Sequence, residues 1–324
     1  MQYRTLGRTG LQVSMVGFGT GGPSRLGQLI GLTQQQQSKL VRRALDLGIN
    51  LFDTSSRYGN SEEILGRALS GVPRSSYILS TKWVHASSWS PPGVGGQDGE
   101  VKQDPQALVR GVEQSLQRLG TDTIDIMHFH GLRTQQYATV VQRFAPVMKQ
   151  LQEQGKIRFV SMTTRYIADP RHEAAALALR NDPNLWDAIM IKYGILNQAA
   201  AKEVLPLALK NNIGVMNMAA VGIKLPNQDV LEELIGEWKQ RSLLPADSLP
   251  DRNPLGWLVR GDVTSVVAAG YRFAADHPAI GTVLTGTASV AHLEQNVAAL
   301  ENPTLPESDK QKLIELFCEI TEYA

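Results

Sequence analysis

The chain has 324 residues, with 32 Lys and Arg against 31 Asp and Glu, 29 glycines and one cysteine, Cys318. That length suits one large domain or two ordinary ones, and composition does not choose between them. A formal net charge of +1 argues against a nucleic acid or an anionic membrane surface as partner, and a lone cysteine excludes an intrachain disulfide framework or a cysteine-rich metal cage.

Met1–Ser14 shows no basic leader followed by an apolar core, so no signal peptide is expected. No apolar run approaches the ~18 residues of a spanning helix, and a cytoplasmic protein is the expectation. In chain order, Met1–Leu11 reads as a hairpin around Gly7-Arg8-Thr9-Gly10. Eight strands follow: Val13–Thr20, Asn50–Thr54, Tyr77–Lys82, Ile124–His130, Ile157–Thr163, Ala188–Tyr193, Gly214–Met218 and Thr282–Gly286. Between them lie stretches with helical spacing. Leu40, Val41, Ala44 and Leu45 form one apolar stripe, and Leu108, Val112 and Leu116 another. Val140, Val141, Phe144, Val147, Met148 and Leu151 form the longest. Gln34–Gln37 reads as a solvated first helical turn, and Ser61 and Ser289 as helix starts.

Strands and helices alternating every ~30 residues imply parallel pairing with right-handed crossovers. Eight such units predict a (β/α)₈ barrel, a TIM barrel, as one domain over 1–324, with the hairpin closing its floor. The surplus length falls in Ser87–Asp104 and in the long insertion Val221–Asp262. The alternative is an open doubly wound sheet, which Gly17-Phe-Gly-Thr-Gly-Gly22 would suit as a dinucleotide fingerprint. Such a fingerprint opens a helix at once, whereas Pro23 and Gly27 follow here, so a glycine-rich loop is the better reading.

Groups fit for proton transfer recur at the strand ends. Asp53 closes the second strand with Tyr58 just after it, Lys82 closes the third, and His130 the fourth. Singly, each has a structural explanation: a turn cap, loop packing, a solvated strand end, a core histidine. In a barrel, however, these ends converge on one mouth. Asp53 would hold Lys82 charged, and Lys82 would lower the Tyr58 phenol toward working pH. His130 would orient a substrate oxygen, and Tyr58 would protonate a carbonyl as a nicotinamide delivers hydride.

The runs Phe52-Asp-Thr-Ser-Ser-Arg-Tyr58-Gly-Asn-Ser-Glu-Glu-Ile-Leu-Gly66, Ser80-Thr-Lys82, Leu119-Gly-Thr-Asp-Thr-Ile-Asp125, Gly155-Lys-Ile-Arg158, Gly286-Thr-Ala-Ser289 and His292-Leu-Glu-Gln-Asn296 stand in that order along nearly the whole chain. In them the sequence resembles the aldo-keto reductase family. The resemblance implies a (β/α)₈ barrel, an extended NADP(H) or NAD(H) across its mouth, and a catalytic tetrad on Tyr58, Lys82, Asp53 and His130. The implied cofactor set is Gly19, Thr20, Asp53, Thr163, Met190, Met218, Gly286, Thr287, Ser289, His292 and Asn296. Several positions depart from the family. Thr163 and Thr164 stand where Ser and Asn hold the carboxamide, Met190 where a Gln does, and Met218 where an aromatic stacks on the nicotinamide. Tyr193 keeps its place, with Gly194 after it instead of Asn. None of Gly286, Ala288 and His292 is the Lys or Arg common in NADP-preferring members, leaving His292 or Lys224 as substitutes. NADP(H) is nevertheless favoured over NAD(H).

His128 lies two residues before His130 on the same strand face, as a core histidine or as a residue that tunes His130. Trp83, His85 and Trp89, with Leu132 and Arg133, are candidates for the substrate wall; the tryptophans could equally pack their loop. The histidines show no metal-ligand spacing, and no GxSxG elbow occurs. The expected protein is thus a monomeric or weakly associating oxidoreductase interconverting small carbonyls and alcohols. Two alternatives stay open: a cofactor-binding regulatory subunit, and an aldolase-like barrel with a Schiff base at Lys82.

Overall fold

A computed structural model describes residues 1–85, 101 and 103–322. Two short strands, β1 (Tyr3–Thr5) and β2 (Gln12–Ser14), pair antiparallel across a 3₁₀ turn at Gly7–Thr9. Eight more, β3 (Val16–Gly19), β4 (Leu51–Asp53), β5 (Ile78–Trp83), β6 (Ile124–Leu132), β7 (Ile157–Thr164), β8 (Ala188–Lys192), β9 (Gly214–Met218) and β10 (Ile280–Thr285), form a closed parallel barrel in the order β10-β3-β4-β5-β6-β7-β8-β9. Closure between β10 and β3, with Val283 opposite Val16, excludes the open sheet. After Gly17-Phe-Gly-Thr-Gly-Gly22 comes a 3₁₀ segment, Arg25–Ile30, and the first α-helix begins only at Gln34, as a glycine-rich loop requires.

One expected strand is divided. Val13 belongs to the hairpin, and the chain changes sheets at Met15. Its N–H bonds back to Gln2 O (2.8 Å), while its carbonyl accepts from Val283 N (2.8 Å) in the barrel. Hydrophobic pattern does not show this, because Val13, Met15 and Val16 are all buried. The helical stripes are realised in α1 (Gln34–Asp46), α3 (Pro105–Leu119) and α4 (Thr134–Glu153), with α2 (Ser61–Leu69) between the first two. Leu40, Val41, Leu108, Val112, Val140, Phe144 and Leu151 all turn inward. Thr33 and Gln36 cap α1 reciprocally, and Gln37 is buried, so only the first three glutamines are solvated.

The barrel interior is apolar at its floor. Leu6, Leu11 and Val13 of the hairpin pack with Leu51, Ile78, Ile126, Ala188, Met190, Met216 and Leu284. The turn approaches so closely that a Cβ at Gly7, where φ is +48°, would lie 2.3 Å from Gly214 N. With the floor plugged, the polar interior faces the C-terminal ends of the strands. Two residues of the sequence runs brace this frame from outside. Buried Asp125 accepts from Arg74 (2.5 Å), Arg158 (2.6 Å) and Leu79 N (2.8 Å), tying β5, β6 and β7 together. Buried Glu62 accepts from Thr81 Oγ1 (2.7 Å) and Arg118 (3.2 Å), fixing α2 to β5 and α3. Among the described residues no helix is long and apolar enough to cross a membrane, and no cluster of His, Cys, Asp or Glu is arranged to hold a metal.

Candidate active site

Asp53 ends β4, Lys82 lies next to the end of β5, and His130 lies near the end of β6, so three adjacent strands deliver these groups to one level. Tyr58 joins them from the loop after β4. All four line a single cavity of about 680 Å³ at the barrel mouth. Lys82 Nζ donates to Asp53 Oδ2 (2.5 Å) and to Thr54 O (2.7 Å), and Ser80 Oγ donates to Asp53 Oδ1 (2.7 Å). Burial pushes the Asp53 carboxyl up and the Lys82 ammonium down, and each pulls the other back. With both charged groups further hydrogen-bonded, the pair stands as an ion pair in the cavity wall.

Lys82 Nζ lies 5.0 Å from the centre of the Tyr58 ring. The expected lowering of the phenol does not follow. Burial foremost, and then the Asp53 charge, hold it above its ordinary value, with Arg25 pulling the other way. Tyr58 is therefore protonated at neutral pH. His130 sits at a register shift between Phe129 and Leu132, beside Gly131 with φ +67°. Such a bulge re-aims a strand side chain, here toward the cavity. Its ring meets that of Tyr58 edge-on at 5.8 Å, and Nδ1 lies 3.1 Å from Ser55 Oγ. Burial, then Lys82, His128, His85 and Arg57, keep this imidazole well below its usual range and therefore neutral.

Of the expected cofactor residues, Gly19, Thr163, Met190, Met218 and Gly286 also line the cavity. Thr163 Oγ1 accepts from Gly131 N (2.7 Å), and Thr164 Oγ1 bonds His172 (2.8 Å). Buried Thr20 holds Asp53 O through its own N–H (2.9 Å). Thr287, Ser289, His292 and Asn296 lie outside the cavity. Thr287 Oγ1 accepts from Ser289 N, and Ser289 caps the helix Val290–Ala299, which carries His292 and Asn296. Tyr193 is not at the mouth: it stacks on Phe273 with ring centres 5.5 Å apart.

Two substrate-wall candidates are corrected. Trp83 follows inward-facing Lys82, so strand alternation turns it outward, where it packs on Phe144 (5.0 Å) and Phe129 (6.3 Å) under the helices. His85 is buried beside Gln136 Oε1 (2.9 Å) and is also outside the cavity wall. Leu132 is buried in the core, and Trp89 lies outside the described residues. His128 bonds Ser80 Oγ through Nε2 (2.8 Å).

Sequence reading missed Arg25, Arg165, Tyr166 and Lys192, all of which line the cavity. Lys192 was the most accessible of these, being two residues from Met190 on the same strand face. Burial, and then neighbouring Lys224, bring its ammonium down to about 7.

A model of the Aldo/keto reductase family matches residues 15–316. L-galactose dehydrogenase of Arabidopsis thaliana is 29% identical, covering 98% of this chain and 93% of its own. The NADH-specific methylglyoxal reductase of Escherichia coli K12 is also 29% identical, covering 98% of each. In structure, an aldo-keto reductase from Bacillus halodurans in its holo form superposes with a TM-score of 0.72 at 24% identity, over 98% of this chain and 96% of that one. With the barrel closed around a mouth built by the same ordered runs, the chain belongs to the aldo/keto reductase family and is an NAD(P)H-dependent oxidoreductase of that kind.

Proposed function

We propose that the chain interconverts a carbonyl and an alcohol on a small molecule, with Tyr58 as proton donor in the reductive direction. The observation that carries this is the meeting of a protonated phenol, a buried ion pair and a neutral imidazole on one cavity wall. The wall also fits a dinucleotide. Gly286 and Gly19 form a bare backbone seam in which a Cβ on Gly286 would lie 3.1 Å from Gly19 O. Thr285 Oγ1, buried in the same wall, has no hydrogen-bond partner among the described residues. Gly19, Gly286 and Thr285 would hold the phosphate-bearing part, Met218 the face of the nicotinamide, and Thr163 its carboxamide. When bound and reduced, that cofactor supplies hydride to the carbonyl carbon.

The protein's own part is positioning and proton transfer. Ser55 Oγ–H donating to His130 Nδ1 leaves the ring proton on Nε2, able to bond the carbonyl oxygen. Tyr58 passes its phenolic proton to that oxygen, and Lys82 steadies the phenolate left behind. Asp53 at 2.5 Å keeps Lys82 protonated, which opposes a Schiff base there. We place NADP(H) first as cofactor on the resemblance to the family alone; NAD(H) is its competitor, because none of Gly286, Ala288 and His292 offers a Lys or Arg.

The test is a titration with NADPH and NADH, then turnover with a panel of aldehydes and sugars that includes methylglyoxal and L-galactose. Tyr58→Phe should lower kcat by about 10²–10⁴-fold and leave cofactor binding intact. Cofactor binding without turnover, indifferent to Tyr58→Phe, would instead establish a regulatory subunit, the reading that the altered carboxamide positions favour.

A further inference from the structure

Among the buried titratable groups that the tetrad leaves unused, His128 lies nearest its ion pair in the hydrogen-bond chain. His128 is fully buried in the barrel interior, one layer below His130, where its neighbours on the floor side are apolar. Its Nε2 lies 2.8 Å from Ser80 Oγ, which in turn lies 2.7 Å from Asp53 Oδ1. A serine hydroxyl has one proton. Ser80 donates it to Asp53, so Ser80 Oγ must accept from a proton on His128 Nε2. That assigns the neutral Nε2–H tautomer, with Nδ1 buried against the Met162 main chain.

We propose that Ser80 and His128 are a positioning pair for Asp53, a donor chain running up from the barrel interior that holds the carboxylate turned toward Lys82 and so keeps Tyr58 supplied with its cationic neighbour. Asp53 is then held on both oxygens, by Lys82 on Oδ2 and by the Ser80–His128 chain on Oδ1. His128 thereby acts on the ion pair and not, as its spacing from His130 suggested, on that imidazole by direct contact.

The charged groups around the chain are few. Lys82 faces Asp53, His128 and His130; Glu62 adds to Lys82, Arg25 and Asp53 face Tyr58, and His85 and Arg57 face His130. His128 stays neutral through this set, since burial and then Lys82 hold it well below the usual imidazole range. Removing its N–H takes a donor from Ser80 Oγ and weakens the bond that Ser80 makes to the carboxylate. Asp53 then takes up a proton at higher pH.

The experiment compares His128→Leu, His128→Gln, Ser80→Ala and the Ser80→Ala/His128→Leu double variant with the wild type. The Asp53 carboxyl carbon is titrated by ¹³C NMR, and the acid limb of kcat/KM is measured alongside. Expected is a rise of roughly half to one pH unit in the Asp53 midpoint for His128→Leu and Ser80→Ala. His128→Gln, which keeps an N–H near Nε2, should return most of it, and the double variant should shift no further than Ser80→Ala alone. An Asp53 midpoint unmoved by both single variants, or shifts that add in the double variant, would overturn the pairing. The rate arm rests on the proposed function and the NMR arm does not. An unmoved midpoint with Tyr58-dependent turnover defeats only this inference, whereas a moved midpoint without turnover defeats only that function.

Discussion

Lys82→Met tests the ion pair directly. Lys82 is 1% and Asp53 3% exposed, so neither charge is appreciably solvated. Among the described residues, the substitution leaves the carboxylate with the Ser80 hydroxyl as its only hydrogen-bonding side chain. Removing one partner of a buried pair costs about 3–5 kcal/mol. An unfolding entropy of roughly 2.1 cal/mol/K per residue gives about 0.7 kcal/mol/K for a chain of 324 residues, so Tm should fall by about 4–7 °C. The sign with pH follows from the burial that already raises the Asp53 carboxyl. A carboxyl raised in the folded state binds its proton more tightly there, so the variant's deficit should be largest at pH 8 and shrink toward pH 5. Asp53→Asn/Lys82→Met removes both charges, keeps an acceptor for Ser80, and should recover most of the lost Tm while remaining inactive. Calorimetry across that pH range decides. An unchanged Tm in Lys82→Met, or a double variant no more stable than the single one, refutes the buried-pair argument.

Gly21→Ala would place a Cβ 2.7 Å from Tyr58 Cε2, so the ring must turn away. Turnover should fall by about tenfold or more with cofactor affinity and Tm nearly unchanged, and an unaltered kcat would show that the phenol's position is not critical. His172, bonded to Thr164 and to Lys192 O, is brought down to about 4 by burial, with Asp169 pulling it back up. Its stabilising effect is full above the unfolded value of 6.5 and is lost as pH falls toward 4. His172→Asn, suited to the φ of +57° there, should therefore lose about 2–3 kcal/mol less than wild type between pH 7 and 4.5 in denaturant titrations. Leu6→Ala empties part of the floor plug and should cost about 2–5 kcal/mol, read as a lower denaturant midpoint with kcat preserved at the distant mouth.

The barrel was legible because its eight apolar runs are short, regularly spaced and separated by helical stripes, and because no helix follows at once on the glycine-rich loop that an open sheet would need as its fingerprint. The break at Met15 was not, since it depends on which backbone its N–H and carbonyl face. The tetrad was legible by position, as strand ends in a barrel must converge. The ionisation of Tyr58 was not: it depends foremost on how deeply the phenol is buried and then on the Asp53 charge, neither of which spacing along the chain reveals. Trp83 shows a pattern that was present but unused, for alternation from Lys82 already turned it outward. The same rule, applied from Met190, would have brought Lys192 into the cavity wall.

The pairing of Val16 with Val283 has a consequence for how the chain is made. During synthesis the first barrel strand emerges long before its second neighbour, which follows 267 residues later. At about 5–20 residues per second, the delay is roughly 15–50 s. Until then the outer edges of β3 and of the newest strand both stand unpaired, and the plug residue Leu6 has no floor to close. A nascent barrel of this topology is an open sheet with two adhesive edges, so chaperone demand should peak late in translation, just before Ile280–Thr285 leaves the ribosome.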